Sequence, residues 1–327
     1  MKITDIRTYL VRANAGGVTE RPRGRNWLFV AVHTNAGIVG YGEGGGWPEV
    51  VEVGVREIAP LLIGEDPFHA ERLWLKIYDA LHSHGQTGAV RGGVQSAIDI
   101  ALWDIKGKAL NVPVYELLGG AVRDRVRVYG HASTPALAQE LVAEGFTAFK
   151  CHPSAQILGE LRAAVGDGIE IGLHGHGEFT VHAAVRIAHD AEAYRPAFFE
   201  EPTHPDDTDA LAAVAAKVAV PLAAGERLYS KWAMYDLIKS GAVALVQPET
   251  TRLGGITELK KIAAIAEAAG VRVAPHAGSV GPIVQMANVH VMATVPNFLF
   301  LEYMPRDTAP RHAVVPGAAE QEGGYIP

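Results

Sequence analysis

Residues 197–226, AFFEEPTHPDDTDALAAVAAKVAVPLAAGE, decide the fold. An apolar run of strand length ends in Glu200-Glu201-Pro202, a helical stretch rich in Ala and Val follows, and a second apolar run ends in Gly225-Glu226. That is one strand–helix–strand unit, and it repeats on both sides. His174 closes an apolar run 26 residues before Glu200, and Glu226 lies 26 residues after it. Working outward, eight such runs can be drawn: VRVYGHA from Val126, TAFKCHP from Thr147, IEIGLHG from Ile169, AFFEEP, PLAAGE, ALVQPE from Ala244, VRVAPHA from Val271 and FLFLEYM from Phe298. Parallel strands joined by crossover helices, eight in number, imply closure into an α/β barrel of the TIM type. Each run is apolar in its body and polar at its end, so the chemistry belongs on the rim formed by the strand C-termini.

The N-terminal third reads differently. KITDIRTYLV, WLFVAVHT and, after a turn at Asn35-Ala36-Gly37, IVGYGEG predict a three-stranded antiparallel sheet. Helical periodicity follows at about Pro48–Leu62, Pro67–His82 and Gly92–Leu110. Between the first two strands, NAGGVTERPRGRN (14–26) is too polar and too broken for a core element, and reads as a mobile flap carrying Arg21, Arg23 and Arg25. The expected organisation is an α+β capping domain over residues 1–120, a barrel over 121–305, and a Pro/Gly/Ala-rich tail over 306–327 that packs back on the cap.

Composition narrows the partners. The chain has 327 residues, 48% apolar and 20% charged, with a formal charge of −7 and no basic stripe, which argues against nucleic acid and anionic membranes. No apolar run approaches the ~20 residues of a membrane span. The single cysteine, Cys151, rules out an internal disulfide framework and suits a reducing compartment, so a cytoplasmic enzyme of small-molecule metabolism is expected.

On the rim, His174, Glu200 and Glu226 converge from three consecutive strands. Two carboxylates and an imidazole aimed at one point repel or lie poorly solvated unless a cation sits between them, so a divalent metal is expected there rather than three unrelated contacts with solvent. Glu249 and His276 end neighbouring strands about 5 Å apart, close enough for the carboxylate to accept one ring N–H and raise the basicity of the other nitrogen. That pair reads as a general base. Lys150 with His152, and His174 with His176, are i, i+2 pairs that face one way. Lys150 is a candidate cation for a substrate carboxylate, and His152 or His176 a second acid/base group. Glu302 closes the last strand and is expected to have a raised pKa, so that it donates a hydrogen bond in its protonated form.

Together, AIDIALWDIKGKALNVPVYELLGG (97–120), Phe149-Lys150, FFEEP, GER, VQPETTRLGG (246–255) and PHAGSVGP (275–282) resemble the enolase superfamily in its mandelate racemase subgroup, over nearly the whole chain. The resemblance implies a modified (β/α)7β barrel with an N-terminal α+β cap whose flap closes over the rim. It also implies removal of the proton α to a carboxylate with a divalent metal, Mg²⁺ in the family, meeting the charge of the enediolate. Position by position, Glu200 and Glu226 look like metal ligands, Glu249 and His276 like the base dyad, Glu302 like the donor to the enediolate, and Lys150 like the lysine near the carboxylate. His176 resembles the histidine that, in the galactonate dehydratase branch, protonates the departing C3 hydroxyl. An acid-sugar dehydratase giving a 2-keto-3-deoxy acid is therefore expected, with Arg21, Arg23, Arg25 and His152 contacting the substrate, and a homo-oligomer is expected. A cycloisomerase or racemase on a sugar acid or lactone, and a metal-impaired pseudoenzyme, are the alternatives.

One letter departs from that pattern. His174 stands where the family has aspartate, and imidazole suits Mn²⁺, Fe²⁺, Co²⁺, Ni²⁺ or Zn²⁺ better than Mg²⁺. Glu178, past the strand end, is placed to restore some negative charge.

Overall fold

The computed structural model describes residues 1–13, 25–85 and 87–327. Residues 14–24 of the expected flap, with Arg21 and Arg23, lie outside the described residues, as does the side chain of Arg25, while the flap's last two positions, 25 and 26, belong to the second strand.

The N-terminal sheet consists of β1 (Ile3–Ala13), β2 (Arg25–Thr34) and β3 (Val39–Gly44), antiparallel and in that order. Leu28, Val30 and Val32 alternate along β2, all fully buried, against three helices: α1 (Pro48–Leu62), α2 (Ala70–His82) and α3 (Gly88–Leu110). Alternation at period two on the strand and Val51, Val55, Ile58 and Leu62 at helical spacing on α1 form one apolar seam. Helix α3 lies almost in contact with β3. A Cβ on Gly40 would stand 2.1 Å from the Ala101 carbonyl and one on Gly42 1.8 Å from that of Ala97, so the run VGYGEG uses glycine where backbone meets backbone.

The second unit is a barrel. Its strands are β4 (Val126–His131), β5 (Ala148–Cys151), β6 (Glu170–His174), β7 (Phe199–Glu200), β8 (Leu222–Ala224), β9 (Leu245–Val246), β10 (Arg272–Val273) and β11 (Leu301–Glu302). Neighbours pair in parallel from β4 to β10, and β11 pairs β4. The ring closes where the Val273 N–H donates to Asn297 and the Leu299 N–H to Val273, at 3.0 and 2.9 Å. All eight strands fall within the eight runs drawn from the sequence. Tyr129, Ala148, Phe198, Ala223, Leu245, Ala274 and Phe300 plug the interior. Five crossover helices start alike: the side chains of Thr134, Ser154, Thr180, Asp207 and Ser230 accept the backbone N–H three residues on. The chain therefore leaves the rim at defined points after each strand.

Cap and barrel are pinned through α3. Asp99 accepts from the Thr257 N–H at 3.0 Å and hydroxyl at 2.5 Å, and Trp103 Nε1 donates to Thr257 Oγ1 at 2.8 Å. The tail was expected on the cap, and its path is divided. Val315, Gly317, Ala318 and Ala319 share a cavity of about 340 Å³ with Tyr41 and Asp104, whereas β12 (Tyr325–Ile326) pairs antiparallel with β4 of the barrel. No helix of the described residues is long and apolar enough to cross a membrane.

Candidate active site

The rim gathers its residues from successive strand ends. Parallel register sets His174 of β6 opposite Glu200 of β7, and Glu226 follows β8 by two residues. One ligand atom from each of the three lies within 4.8 Å of the others. Glu200 and Glu226 are buried, and His174 is partly so. His174 Nε2 and Glu226 Oε2 are buried and make no hydrogen bond, although Glu200 Oε1 lies 3.4 Å from that nitrogen. Buried donor atoms left without partners are costly unless something else occupies the point they face. Burial, with the Lys150 charge, lowers the His174 pKa to about 3. The imidazole is then neutral, the form that binds a metal. The residues fit a divalent cation, with one nitrogen and two carboxylates as donors. Glu178 is not part of this cluster: it is exposed and stands 3.5 Å from His176 Nδ1 beyond the strand end, so the expected restoration of charge is absent.

Lys150 is not free to reach outward. Its Nζ donates to Glu200 Oε1 at 2.6 Å and pairs with Glu302 Oε1 at 3.0 Å, while Gln247 Nε2 donates to the other Glu200 oxygen at 2.7 Å. Burial alone would discharge this lysine, but Glu200 and Glu302 hold its pKa well above the ordinary value. It is a fixed internal cation on the floor of the site.

His276 and Glu249 meet as the spacing predicts, Nδ1 to Oε2 at 2.6 Å. Glu249 Oε1 accepts from Thr251 N–H and hydroxyl at 3.1 and 2.8 Å, which orients the carboxylate. Burial opposes the charged forms of both partners, yet the pair wins: Glu249 lies below its usual range, and Glu302, Glu226 and Glu249 raise His276 to about 9. The remaining nitrogen, Nε2, stands 3.2 Å from Glu226 Oε2 and faces the three-residue cluster.

Glu302 departs from expectation. A protonated, hydrogen-donating carboxyl was predicted, but although burial pushes its pKa up, His276, Lys150 and His131 hold it well below the carboxylate range. His131 Nε2 donates to Oε1 at 2.5 Å, and Oε2 accepts the Ala277 N–H at 2.7 Å. It is an acceptor throughout. His131 is the residue that sequence reasoning missed. It ends β4 and packs edge-on to His174 at 6.5 Å between ring centroids. The run VRVYGH carried the signal, a polar strand end like the other seven.

The other histidines are less constrained. His176, more than half exposed, sits in the turn after β6 with φ 56°, its ring 5.2 Å from that of His174. His152 is exposed past the end of β5. Both line a cavity of about 360 Å³ with His131, Ser133, Lys150 and His174. A second cavity of about 370 Å³ opens between cap and rim, walled by Trp27, Glu43, Trp47, Thr251 and Arg252. There the Glu43 carboxylate, wholly buried, accepts the N–H groups of Gly281 and Val284, ahead of which runs the loop carrying His276. Burial raises the Glu43 pKa to about 7 against the pull of those two bonds.

Residues 133–327 match the family model described as enolase C-terminal domain-like, and residues 19–119 that of the mandelate racemase / muconate lactonizing enzyme N-terminal domain. The chain belongs to the enolase superfamily. Within it, this enzyme falls in the mandelate racemase subgroup. It is 38% identical to the D-galactonate dehydratase of Verminephrobacter eiseniae, covering 89% of this chain and 78% of that one. Identity is also 38% to the Klebsiella pneumoniae D-galactonate dehydratase, covering 92% and 81%. Among solved structures, an enolase from Agrobacterium radiobacter with bound Na and L-malate superposes with a TM-score of 0.89 at 32% identity, covering 100% and 90%. The 3,6-anhydro-D-galactonate cycloisomerase of Zobellia galactanivorans superposes with a TM-score of 0.91 at 28% identity, covering 100% and 93%. Enolase superfamily members bind a divalent metal, in keeping with the donor set of His174, Glu200 and Glu226.

Proposed function

We propose that this enzyme is a metal-dependent hydro-lyase that converts an acid sugar to a 2-keto-3-deoxy acid, with D-galactonate the first substrate to test. The observation that carries this reading is the aim of the His276–Glu249 dyad: its outward nitrogen faces a preformed three-residue cation site. The names of the relatives supply the substrate class.

His174, Glu200 and Glu226 would hold the cation. When bound, a divalent ion supplies the positive charge that makes a proton α to a carboxylate removable, because the enediolate carries a second negative charge. The protein's own residues do the rest. Unliganded, three carboxylates hold His276 protonated; positive charge shared with Glu226 offsets part of that field and shifts the ring toward the neutral base. Glu249 keeps the Nδ1 proton in place, so Nε2 takes the proton from C2. Lys150 adds a fixed positive charge beside Glu200 and Glu302. His176 gives a proton to the C3 hydroxyl as the C3–O bond breaks; water leaves, and the resulting enol tautomerises to the 2-keto acid, releasing its C2 hydroxyl proton to solvent as C3 takes one from solvent. His152 and the arginines at 21, 23 and 25 contact the distal hydroxyls.

The metal is assigned to the Mn²⁺, Fe²⁺, Co²⁺, Ni²⁺ and Zn²⁺ group in preference to Mg²⁺, because one of three donors is an imidazole. Metal-stripped protein is to be given each ion singly, incubated with D-galactonate in D₂O, and assayed for keto acid and for label at C2. Keto acid with a transition ion and a much weaker response to Mg²⁺ is expected. Full turnover at low Mg²⁺ would sink the metal assignment, and label at C2 with no loss of water and no keto acid would replace dehydration by racemisation or by cycloisomerisation, the latter being the activity named for the Zobellia relative.

A further inference from the structure

Among the described residues, four other than glycine have positive φ: Asn111, His176, Arg195 and Glu201. Asn111 and Arg195 end helices, where the left-handed conformation is ordinary. His176 (φ 56°) and Glu201 (φ 40°) have no such excuse, and backbone of this kind persists only where its surroundings hold it. Both are held by the same side chain. Arg227 Nη1 donates to the His176 carbonyl at 3.2 Å and to Glu201 Oε2, and Nη2 lies 3.4 Å from Glu226 Oε1. Glu201 is buried with its second oxygen lacking a hydrogen bond, so the guanidinium is the cation it faces. Between the two strained residues the backbone is laced directly, Gly177 N–H to Glu201 carbonyl at 2.7 Å. A Cβ on Gly177 would come within 3.3 Å of Arg227 Nη1.

We propose that Arg227 is a positioning residue that locks the turns after β6, β7 and β8 into one unit, setting both the aim of His176 and the orientation of Glu226. A forked, planar guanidinium can serve three acceptors at fixed angles, which a point-charge ammonium cannot. The proposal rests on the assignment of Glu226 to the cation site and of His176 to the acid step. Arg227 would act through Glu226 and His176, the groups it holds, and not on the substrate itself.

The test uses full-length wild type, Arg227→Met and Arg227→Lys, with Co²⁺ as the probe ion. Affinity is read from the visible Co²⁺ bands, and the His176 ring from its ¹H–¹⁵N correlations, assigned with His176→Asn. Arg227→Met is expected to weaken Co²⁺ about tenfold or more, as loss of a partner that orients a ligand typically does, and to move the His176 signals to those of a freely rotating imidazole. Arg227→Lys is expected to recover Co²⁺ binding in part and to leave His176 released, and if the Met variant does not fold, the Lys variant decides alone. Wild-type Co²⁺ affinity together with unmoved His176 signals in the folded variants would overturn the proposal. With D-galactonate and Co²⁺ raised to saturate the weakened site, Arg227→Met should retain label exchange at C2 and lose keto acid. A wild type inert toward D-galactonate would remove the dehydratase reading, while the Co²⁺ and ring signals would still decide the role of Arg227.

Discussion

The two sides of the rim are built to different standards. On the side of β7 to β11, Glu200, Glu249 and Glu302 are wholly buried and each of their carboxylate oxygens has a donor, while Glu226 keeps one buried oxygen without a hydrogen bond at the cation site. On the side of β5 and β6, His152 and His176 lie in turns beyond the strand ends, exposed, with Glu178 and the edge-on ring of His174 beside the His176 ring. Under the proposed dehydration, the difference follows from what each side would have to do. Removing a proton from a weak carbon acid needs charges fixed before the substrate arrives, since reorganising them during the reaction costs the catalytic advantage. Delivering a proton to a departing hydroxyl needs only reach, and the hydroxyl differs from one substrate to another.

The largest effect should come from the ordered side. His276→Asn leaves Glu249 without its partner and removes the group proposed to take the proton, so label exchange at C2 and keto-acid formation should fall together, by about 10³-fold or more. NMR of the substrate in D₂O reads both. If exchange survives, the ordered side is not where abstraction occurs, and the contrast fails at its root.

The exposed side should give a split. With His176→Asn, keto acid should drop by about 10²-fold or more, the range general acids supply, while C2 exchange stays near the wild-type rate. Equal loss of both would mean that the two sides act as one unit, the behaviour of residues whose contributions do not separate.

The third prediction concerns the cap, which reaches the ordered side through Glu43. Burial pushes its carboxyl up to about 7 in the folded protein, from the ordinary 4.5. A raised acid pKa means that the folded state binds the proton more tightly, so this group's contribution is present at low pH and is lost as pH rises from about 4.5 to 7. The shift corresponds to on the order of 3 kcal/mol for so buried a group. Asp99, raised to about 7 by burial against its bonds to Thr257, adds in the same direction. Glu43→Gln keeps an acceptor for Gly281 and Val284 without the titration. Thermal midpoints measured from pH 5 to 8 should fall less steeply for the variant than for wild type, and parallel curves would refute the assignment.

What could be read from the sequence divides along the same line. The strand ends His174, Glu200, Glu226, Glu249 and His276 are each announced locally, by an apolar run that stops at a polar residue, and the even spacing carries the barrel. The state of Glu302 is not local. It depends on Lys150, His131 and His276, which reach it only because β11 closes the ring against β4 and β10. A crowded acidic site was the natural expectation from a list of carboxylates, and the hydrogen-bonding partners facing this one come from residues 152 and 171 positions earlier in the chain as well as from the base itself. Glu43 and Arg227 were missed for the same reason: each matters through contacts between elements far apart in sequence, and neither has a spacing to betray it. The arginines of segment 14–24 stay as expectations, since they lie outside the described residues.

The smallest expected effect tests whether the looseness of the exposed side is confined to its turns. Ser154 follows the His152 turn and caps the helix Ala155–Val165, its hydroxyl accepting the Ile157 N–H at 3.4 Å. Ser154→Ala removes that acceptor, and the expected loss is about 1 kcal/mol of stability, the ordinary cost of an N-cap. Because the helix itself is anchored by fully buried Leu158 and Leu161, the strand ends should not move. The thermal midpoint should therefore drop slightly while C2 exchange and Co²⁺ affinity hold their wild-type values. A Co²⁺ affinity that falls with this substitution would show that the cation site feels the β5 turn, and the two sides of the rim would have to be treated as a single coupled body.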